Sequence, residues 1–288
     1  MHETIKNLLN EQPVLIDGAW ATELQQHGLQ IGASPEIFNL ENPDRVQAVA
    51  QSYVDAGSRI VTTNTFGGTT YSLERHGLAD RVEEINRIGV ECSKRAAGNR
   101  ALVFASMGPS GKRLMQGEVT EIELFNAFSI QAQALAAAGA DGLVLETMYD
   151  LEEAKVALKA AKETGLPVCA CMVYDARSGM TRTLTGTTVE QATKALTEAG
   201  ADLIGANCGQ GIEGFVNLAA KMKAHTHLPI WIKANAGLPK MINGHARYQT
   251  TAKDFAHYAP ALLKAGTHFI GGCCGTNPDF IRALKAAL

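Results

Sequence analysis

The chain reads as an α/β protein folded into a single (β/α)8 barrel, one domain over residues 1–288, and three observations predict it. Eight short apolar runs recur along the chain. Stretches with helical periodicity separate them, and alternation of this kind builds a parallel sheet with helices packed outside it. Four of the helix-like stretches end in the same pair, Ala56-Gly57, Ala138-Gly139, Ala199-Gly200 and Ala265-Gly266, each just ahead of an apolar run. Glycine is the usual residue past a helix C-terminus because it takes positive φ without a Cβ clash.

The segment before the first run is mostly polar, with Ile5, Leu8 and Leu9 at helical spacing. The runs themselves are 14–16, 59–63, 101–106, 142–146, 168–173, 202–207, 230–234 and 268–271. Each has a short apolar centre without strict alternation, the length and character of a buried parallel strand. Between them, 120–138 and 150–162 show clear helical periodicity. A doubly wound open sheet is the alternative, but it carries a glycine fingerprint after its first strand, and Asp17-Gly18-Ala19-Trp20 is not that fingerprint.

Composition narrows the function classes. The 288 residues are 46% hydrophobic and 19% charged with a formal net charge of -3, an ordinary globular balance. Neither a basic stripe nor an apolar run of the roughly 20 residues that span a bilayer is present, so no nucleic-acid or membrane partner is expected. The N-terminal segment lacks the apolar centre of a signal peptide, and a cytoplasmic location is expected. Thiols stay reduced there, so the six cysteines read as ligands, nucleophiles or core residues before they read as disulfides.

Barrel active sites lie at the C-terminal ends of the strands. Those ends read Asp17-Gly18, Asn64-Thr65-Phe66-Gly67-Gly68, Gly108-Pro109-Ser110-Gly111, Glu146-Thr147, Tyr174-Asp175, Asn207-Cys208-Gly209, Asn235-Ala236-Gly237 and Gly272-Cys273-Cys274-Gly275. Nearly all join a polar group to a glycine, which lets backbone approach a ligand closely. Cys208 ends the sixth strand and Cys273 and Cys274 end the eighth, with one strand between them, so the three sulfurs can converge. Three thiolates suit Zn2+, and three protein ligands with an open fourth position describe a catalytic rather than a structural site. Adjacent cysteines on a regular strand point to opposite faces, but the flanking Gly272 and Gly275 free the backbone to aim both one way. Cys92, Cys169 and Cys171 read as core.

These residues match a known pattern. Asp17 to Glu23, Thr63-Asn64-Thr65-Phe66-Gly67, Gly205-Ala206-Asn207-Cys208-Gly209 and Gly271-Gly272-Cys273-Cys274-Gly275-Thr276 resemble the homocysteine S-methyltransferase family. The resemblance runs from about Val14 to the C-terminus and implies a (β/α)8 barrel with zinc on Cys208, Cys273 and Cys274. By matching position it implies that Asp17 and Glu146 hold the homocysteine α-amino group. The backbone of Ala19, Trp20, Ala21 and Thr22 would receive the carboxylate, with Glu23 and Asn207 in support. It also implies that Asn235 is a zinc ligand when no thiol is bound.

The chemistry agrees with that residue set. Only a thiolate is a useful nucleophile, and zinc coordination deprotonates a thiol outright. Three Cys ligands leave the site net negative, and a bound homocysteine thiolate adds to that charge. The sulfur then stays electron-rich, which suits attack on a methyl carbon. The expected reaction is methylation of homocysteine to methionine. As to the donor, the betaine-using relatives carry C-terminal sequence beyond the helix after Gly275-Thr276. The tract Gly111-Lys112-Arg113-Leu114 and the spacing look closer to the homocysteine-binding module of cobalamin-dependent methionine synthase. With no corrinoid-binding segment in the sequence, a methylcobalamin donor on a separate corrinoid protein is expected. S-methylmethionine, betaine or a different acceptor thiol are the alternatives. An aldolase-like barrel using Lys233 as a Schiff base leaves the three cysteines unexplained, and a non-enzymatic zinc- and thiol-binding module is the remaining reading.

Overall fold

The computed structural model describes residues 2–242 and 245–288. Eight parallel strands alternate with helices: β1 Val14–Leu15, β2 Ile60–Val61, β3 Leu102–Met107, β4 Gly142–Met148, β5 Val168–Met172, β6 Leu203–Gly211, β7 Ile230–Asn235 and β8 Thr267–Gly272. The ladder runs β1-β8-β7-β6-β5-β4-β3-β2, and a parallel bridge between Ile16 and Ile60 joins its two ends. The eight apolar runs are these eight strands, and the sheet is closed as a barrel. An antiparallel hairpin, Lys240–Ile242 with His245–Arg247, extends the loop after β7 and was not anticipated from sequence.

The repeated Ala-Gly pair does what its chemistry suggests. Gly57, Gly139, Gly200 and Gly266 take φ of 110°, 91°, 90° and 99°. The residues after the first three, Ser58, Ala140 and Ala201, donate back to the Tyr53, Leu135 and Leu196 carbonyls at 3.1, 3.3 and 3.2 Å. Helix-end carbonyls are thereby satisfied and the chain is turned into the next strand. At the other ends, Thr120 and Thr188 form capping boxes with Glu123 and Gln191, and Asp150 accepts from the Glu152 and Glu153 amides. The stretch expected over 120–138 is thus the helix Glu121–Ala137 with Thr120 as its cap.

Two main cores follow from the closure, beside a small cluster of Leu73, Val82 and Ile85. One lies between strands and helices and includes the buried Cys92. The other fills the barrel: Val14, Ile16, Phe104, Val144, Leu203, Trp231 and Phe269, with Cys169 and Cys171 among them. Phe104, Trp231 and Phe269 stack at ring separations of 5.9 and 5.7 Å. Ile5 and Leu8 of the helix Glu3–Leu9 join this interior cluster, which explains the apolar spacing in that polar segment. Side chains on a strand alternate between faces. From Phe104, Val144, Leu203, Trp231 and Phe269, the same inward register reaches Ser106, Glu146, Asn207, Lys233 and Cys273 farther along each strand. The aromatic layer packs the barrel, and a polar layer lies beyond it at the C-terminal ends. No helix among the described residues is long and apolar enough to cross a membrane.

Candidate active site

The three cysteines meet at the C-terminal mouth. Their sulfurs all lie within 4.8 Å of one another, and Cys208 Sγ and Cys274 Sγ are 4.0 Å apart. Four thiolates around zinc at about 2.3 Å are roughly 3.8 Å from one another, so this spacing fits the ion. Regular strands would not produce it. The β6–β7 register slips between Asn207 and Gly211, and Cys208 takes φ 62°, in the left-handed region. This bulge swings a side chain that would have faced outward towards the mouth. On the other strand, the Cys273 amide bonds the Ala234 carbonyl at 2.7 Å and the Cys274 carbonyl accepts from the Ala236 amide at 3.0 Å. Gly275 then turns at φ 80°, where a Cβ would run into the Tyr248 ring.

A second observation points to an ion. The Asn235 Oδ1 is buried without a hydrogen-bond partner among the described residues, and a buried orphan acceptor calls for an explanation. Asn235 stands beside Cys208, whose thiolate it helps to stabilise. Hydrogen bonds from Cys273 and Cys274 hold the Cys208 thiol well below the ordinary value, while the thiolate they share pushes those two up. Thiols must lose their protons to bind a metal, so zinc uptake is expected to release protons and to weaken as pH falls; titration calorimetry in buffers of different ionisation enthalpy measures the release, and proton-neutral binding would contradict this assignment.

Beside the sulfurs, Glu146 and Thr147 lie in a second slip, between Leu145 and Met148 on the β4–β5 edge. Thr147 takes φ 60°, an outlier for a β-branched residue. Asn207 holds it there: its Oδ1 accepts from the Thr147 amide at 2.7 Å and its Nδ2 donates to Thr147 Oγ1 at 2.8 Å. The same Nδ2 lies 3.9 Å from Cys273 Sγ. Strain of this kind persists only where neighbours over-determine it, and here the neighbour that does so also touches the cysteine cluster.

The two carboxylates have different surroundings. Asp17 is fully buried; its Oδ2 accepts from Trp20 Nε1 at 2.9 Å and from the Thr62 amide and hydroxyl at 2.7 Å each. Its Oδ1 pairs with Lys233 Nζ at 2.7 Å. Glu146 accepts from Ser106 Oγ at 2.6 Å and faces the same Lys233 at 3.5 Å. Burial raises the Glu146 carboxyl, opposed by the Lys233 ammonium. Burial alone would lower the Lys233 ammonium, but Asp17 and Glu146 outweigh it and hold the lysine above its ordinary value. A cavity of about 520 Å³ opens over these groups, walled by Trp20, Pro35, Phe66 and Pro109 and reaching Glu146, Lys233 and all three cysteines.

The model of the homocysteine S-methyltransferase family matches residues 14–288. This chain belongs to the homocysteine S-methyltransferase family. It is 29% identical to the methionine synthases of Mycobacterium tuberculosis and Mycobacterium leprae, over 98% and 97% of its own length. It spans only about a quarter of theirs, 25% and 24%. Among solved structures it is similar to the homocysteine methyltransferase MmuM of Escherichia coli. The metallated form superposes at a TM-score of 0.83 with 24% identity over 99% of both chains, and the apo form at 0.77 with 23% identity over the same shares.

Within this homocysteine S-methyltransferase barrel the other sequence-named residues fall into place unevenly. Ala19, Trp20, Ala21 and Thr22 line the cavity, and the helix Ala21–Gln26 starts at Trp20 without a side-chain cap. Tyr53 and Thr276 fix this loop: Tyr53 donates to the Ala19 carbonyl at 2.6 Å, and Thr276 Oγ1 accepts from the Ala19 amide at 3.2 Å and donates to the Cys273 carbonyl at 2.8 Å. Glu23 lies off the cavity wall. Burial, with the Asp279 carboxylate, lifts its carboxyl from 4.5 to about 7. The folded chain thus binds this proton more tightly, so the stabilisation is present below pH 4.5 and is lost as pH rises through about 7. Glu23→Gln is expected to raise the urea midpoint at pH 8 and leave it little changed at pH 4; equal shifts at both would sink the titration account.

Sequence reasoning missed the roles of Thr62, Thr147, Tyr53 and Thr276. It weighed Lys233 only as a Schiff-base lysine, for which a charged, doubly paired ammonium is poorly suited. The period-two register from Trp231 would have placed Lys233 inside the barrel, where a lysine needs a carboxylate.

Proposed function

We propose that this barrel is a zinc-dependent methyltransferase that methylates homocysteine to methionine, with a methyl-corrinoid on a separate protein as donor. The observation that carries the reading is the convergence of Cys208, Cys273 and Cys274 beside an unpartnered Asn235 Oδ1, in the same cavity as Glu146. Zinc held by the three sulfurs would supply the positive charge that keeps a substrate thiol in its nucleophilic thiolate form. The chain's own residues do the rest. Asn207 and Thr147 hold Cys273 and the Glu146 segment in one arrangement, so the acceptor meets a preformed site. Glu146 commits one oxygen to Ser106, and the other, 3.5 Å from Lys233, is the one that would face the amino group. The uncapped helix start at Trp20 faces the carboxylate. The walls of Trp20, Phe66 and Pro109 limit water around the sulfur. In the transfer the sulfur pair forms the S–CH3 bond, the methyl–carrier bond breaks with its pair left on the carrier, and the thiol proton has already gone to solvent.

Delivery by a second protein is supported by the mouth of the barrel. Ile31, Phe66, Met115, Leu184, Leu238 and Met241, in the connections that follow β1, β2, β3, β5 and β7, are 41–78% exposed. Large apolar side chains left exposed around a site mouth suit a contact surface. The test is methionine formation from homocysteine by zinc-loaded protein with free methylcobalamin as sole donor. Turnover supports the carrier reading. Turnover with S-methylmethionine or betaine but not with methylcobalamin overturns the donor and keeps the thiol chemistry.

A further inference from the structure

The carboxylate pair expected to bind the substrate ammonium already holds one. Lys233 Nζ lies 2.7 Å from Asp17 Oδ1 and 3.5 Å from Glu146 Oε1, at 2% exposure, and it lines the substrate cavity. Asp17 is fully buried and does not line the cavity: its Oδ1 accepts from Lys233, and its Oδ2 from Trp20 and both donors of Thr62. Only the second oxygen of Glu146 remains, and an ammonium reaching it arrives against the Lys233 charge. Two carboxylates with one internal cation carry half the negative charge of the pair alone. A site that uses two carboxylates to select an amine must leave them unpaired until the amine arrives, because discrimination of this kind comes from buried groups left unsatisfied by the wrong ligand. Here they are satisfied beforehand.

We propose that Lys233 is a specificity-determining residue that stands in for the substrate ammonium, so that the site accepts short thiol carboxylates whether or not they carry a free α-amino group. The inference rests on the thiol-methyltransferase reading above and widens its acceptor class. The thiol binds at the cysteine cluster, the carboxylate stays the recognised charge, and the amino group becomes dispensable. The methyl-transfer step balances as before, since the amine takes no part in it.

The probes are homocysteine and 4-mercaptobutyrate, its analogue without the amino group, on the zinc-loaded full chain. Each is measured for equilibrium binding by calorimetry and for methylation with methylcobalamin. Wild type is expected to bind the two within about threefold, because the analogue leaves no buried group newly unpaired. Lys233→Met, which empties the carboxylate pair, is expected to shift the binding ratio towards homocysteine by about tenfold or more. Lys233→Gln keeps a donor to Asp17 and should shift it in the same direction by less. If wild type binds homocysteine a hundredfold or more tightly than the analogue, the proposal fails on that measurement alone, whether or not the variants fold. Absence of methylation of either thiol with any donor overturns the proposed function, while the binding ratio still decides the role of Lys233.

Discussion

Cys273→Ser is expected to lose stoichiometric zinc and to lower methyl transfer to homocysteine by more than about a hundredfold. Changes in residues that merely support a metal ligand cost about 10- to 100-fold, and Cys273 is proposed as a ligand itself. A serine hydroxyl stays protonated and is a hard oxygen donor, so the cluster loses both the charge and the softness that favour zinc. Cys273 is also tied into the site more tightly than its two companions: its amide bonds Ala234, its carbonyl accepts from Thr276, and its sulfur faces Asn207. Its backbone partners survive the substitution, so the variant should fold, and circular dichroism can verify this. Zinc content by atomic absorption and methionine formation should fall together. A serine variant that keeps both would remove the cysteine cluster from the mechanism.

Asp17→Ala is expected to destabilise the fold by about 3–5 kcal/mol, the cost of leaving one member of a buried ion pair without its partner. Asp17 is fully buried; its loss strands the Thr62 amide, takes one of two acceptors from the Trp20 indole and leaves Lys233 with Glu146 alone, at 3.5 Å. These partners come from β7, the loop after β1 and the end of β2, so the carboxylate ties together elements on both sides of the Ile16–Ile60 closure. The double variant Asp17→Ala, Lys233→Met should cost less than the sum of the singles, since it removes both charges. Equilibrium urea unfolding measures each. A single-variant loss under about 1 kcal/mol, the size of an ordinary substitution, would show that the pair does not hold the barrel closed.

Much of this molecule was legible in its residues. Strand positions followed from apolar runs, helix ends from the Ala-Gly pairs, and both are local properties: how far a strand must be covered, and which residue tolerates positive φ. The three cysteines stood out because the barrel places its strand ends on one face, so topology alone brings β6 and β8 near each other. The hairpin after β7 left no such local trace. Nor did the direction of Cys208, since strict alternation would have turned it outward; the bulge and the left-handed φ belong to a strand edge meeting its neighbours. Asp17 is the sharper case. Its type and position agree with a ligand for an ammonium, yet which ammonium it meets depends on a lysine 216 positions away in the chain. An ion pair is a matter of distance in space, and a buried charge takes whichever partner closure of the barrel brings within reach.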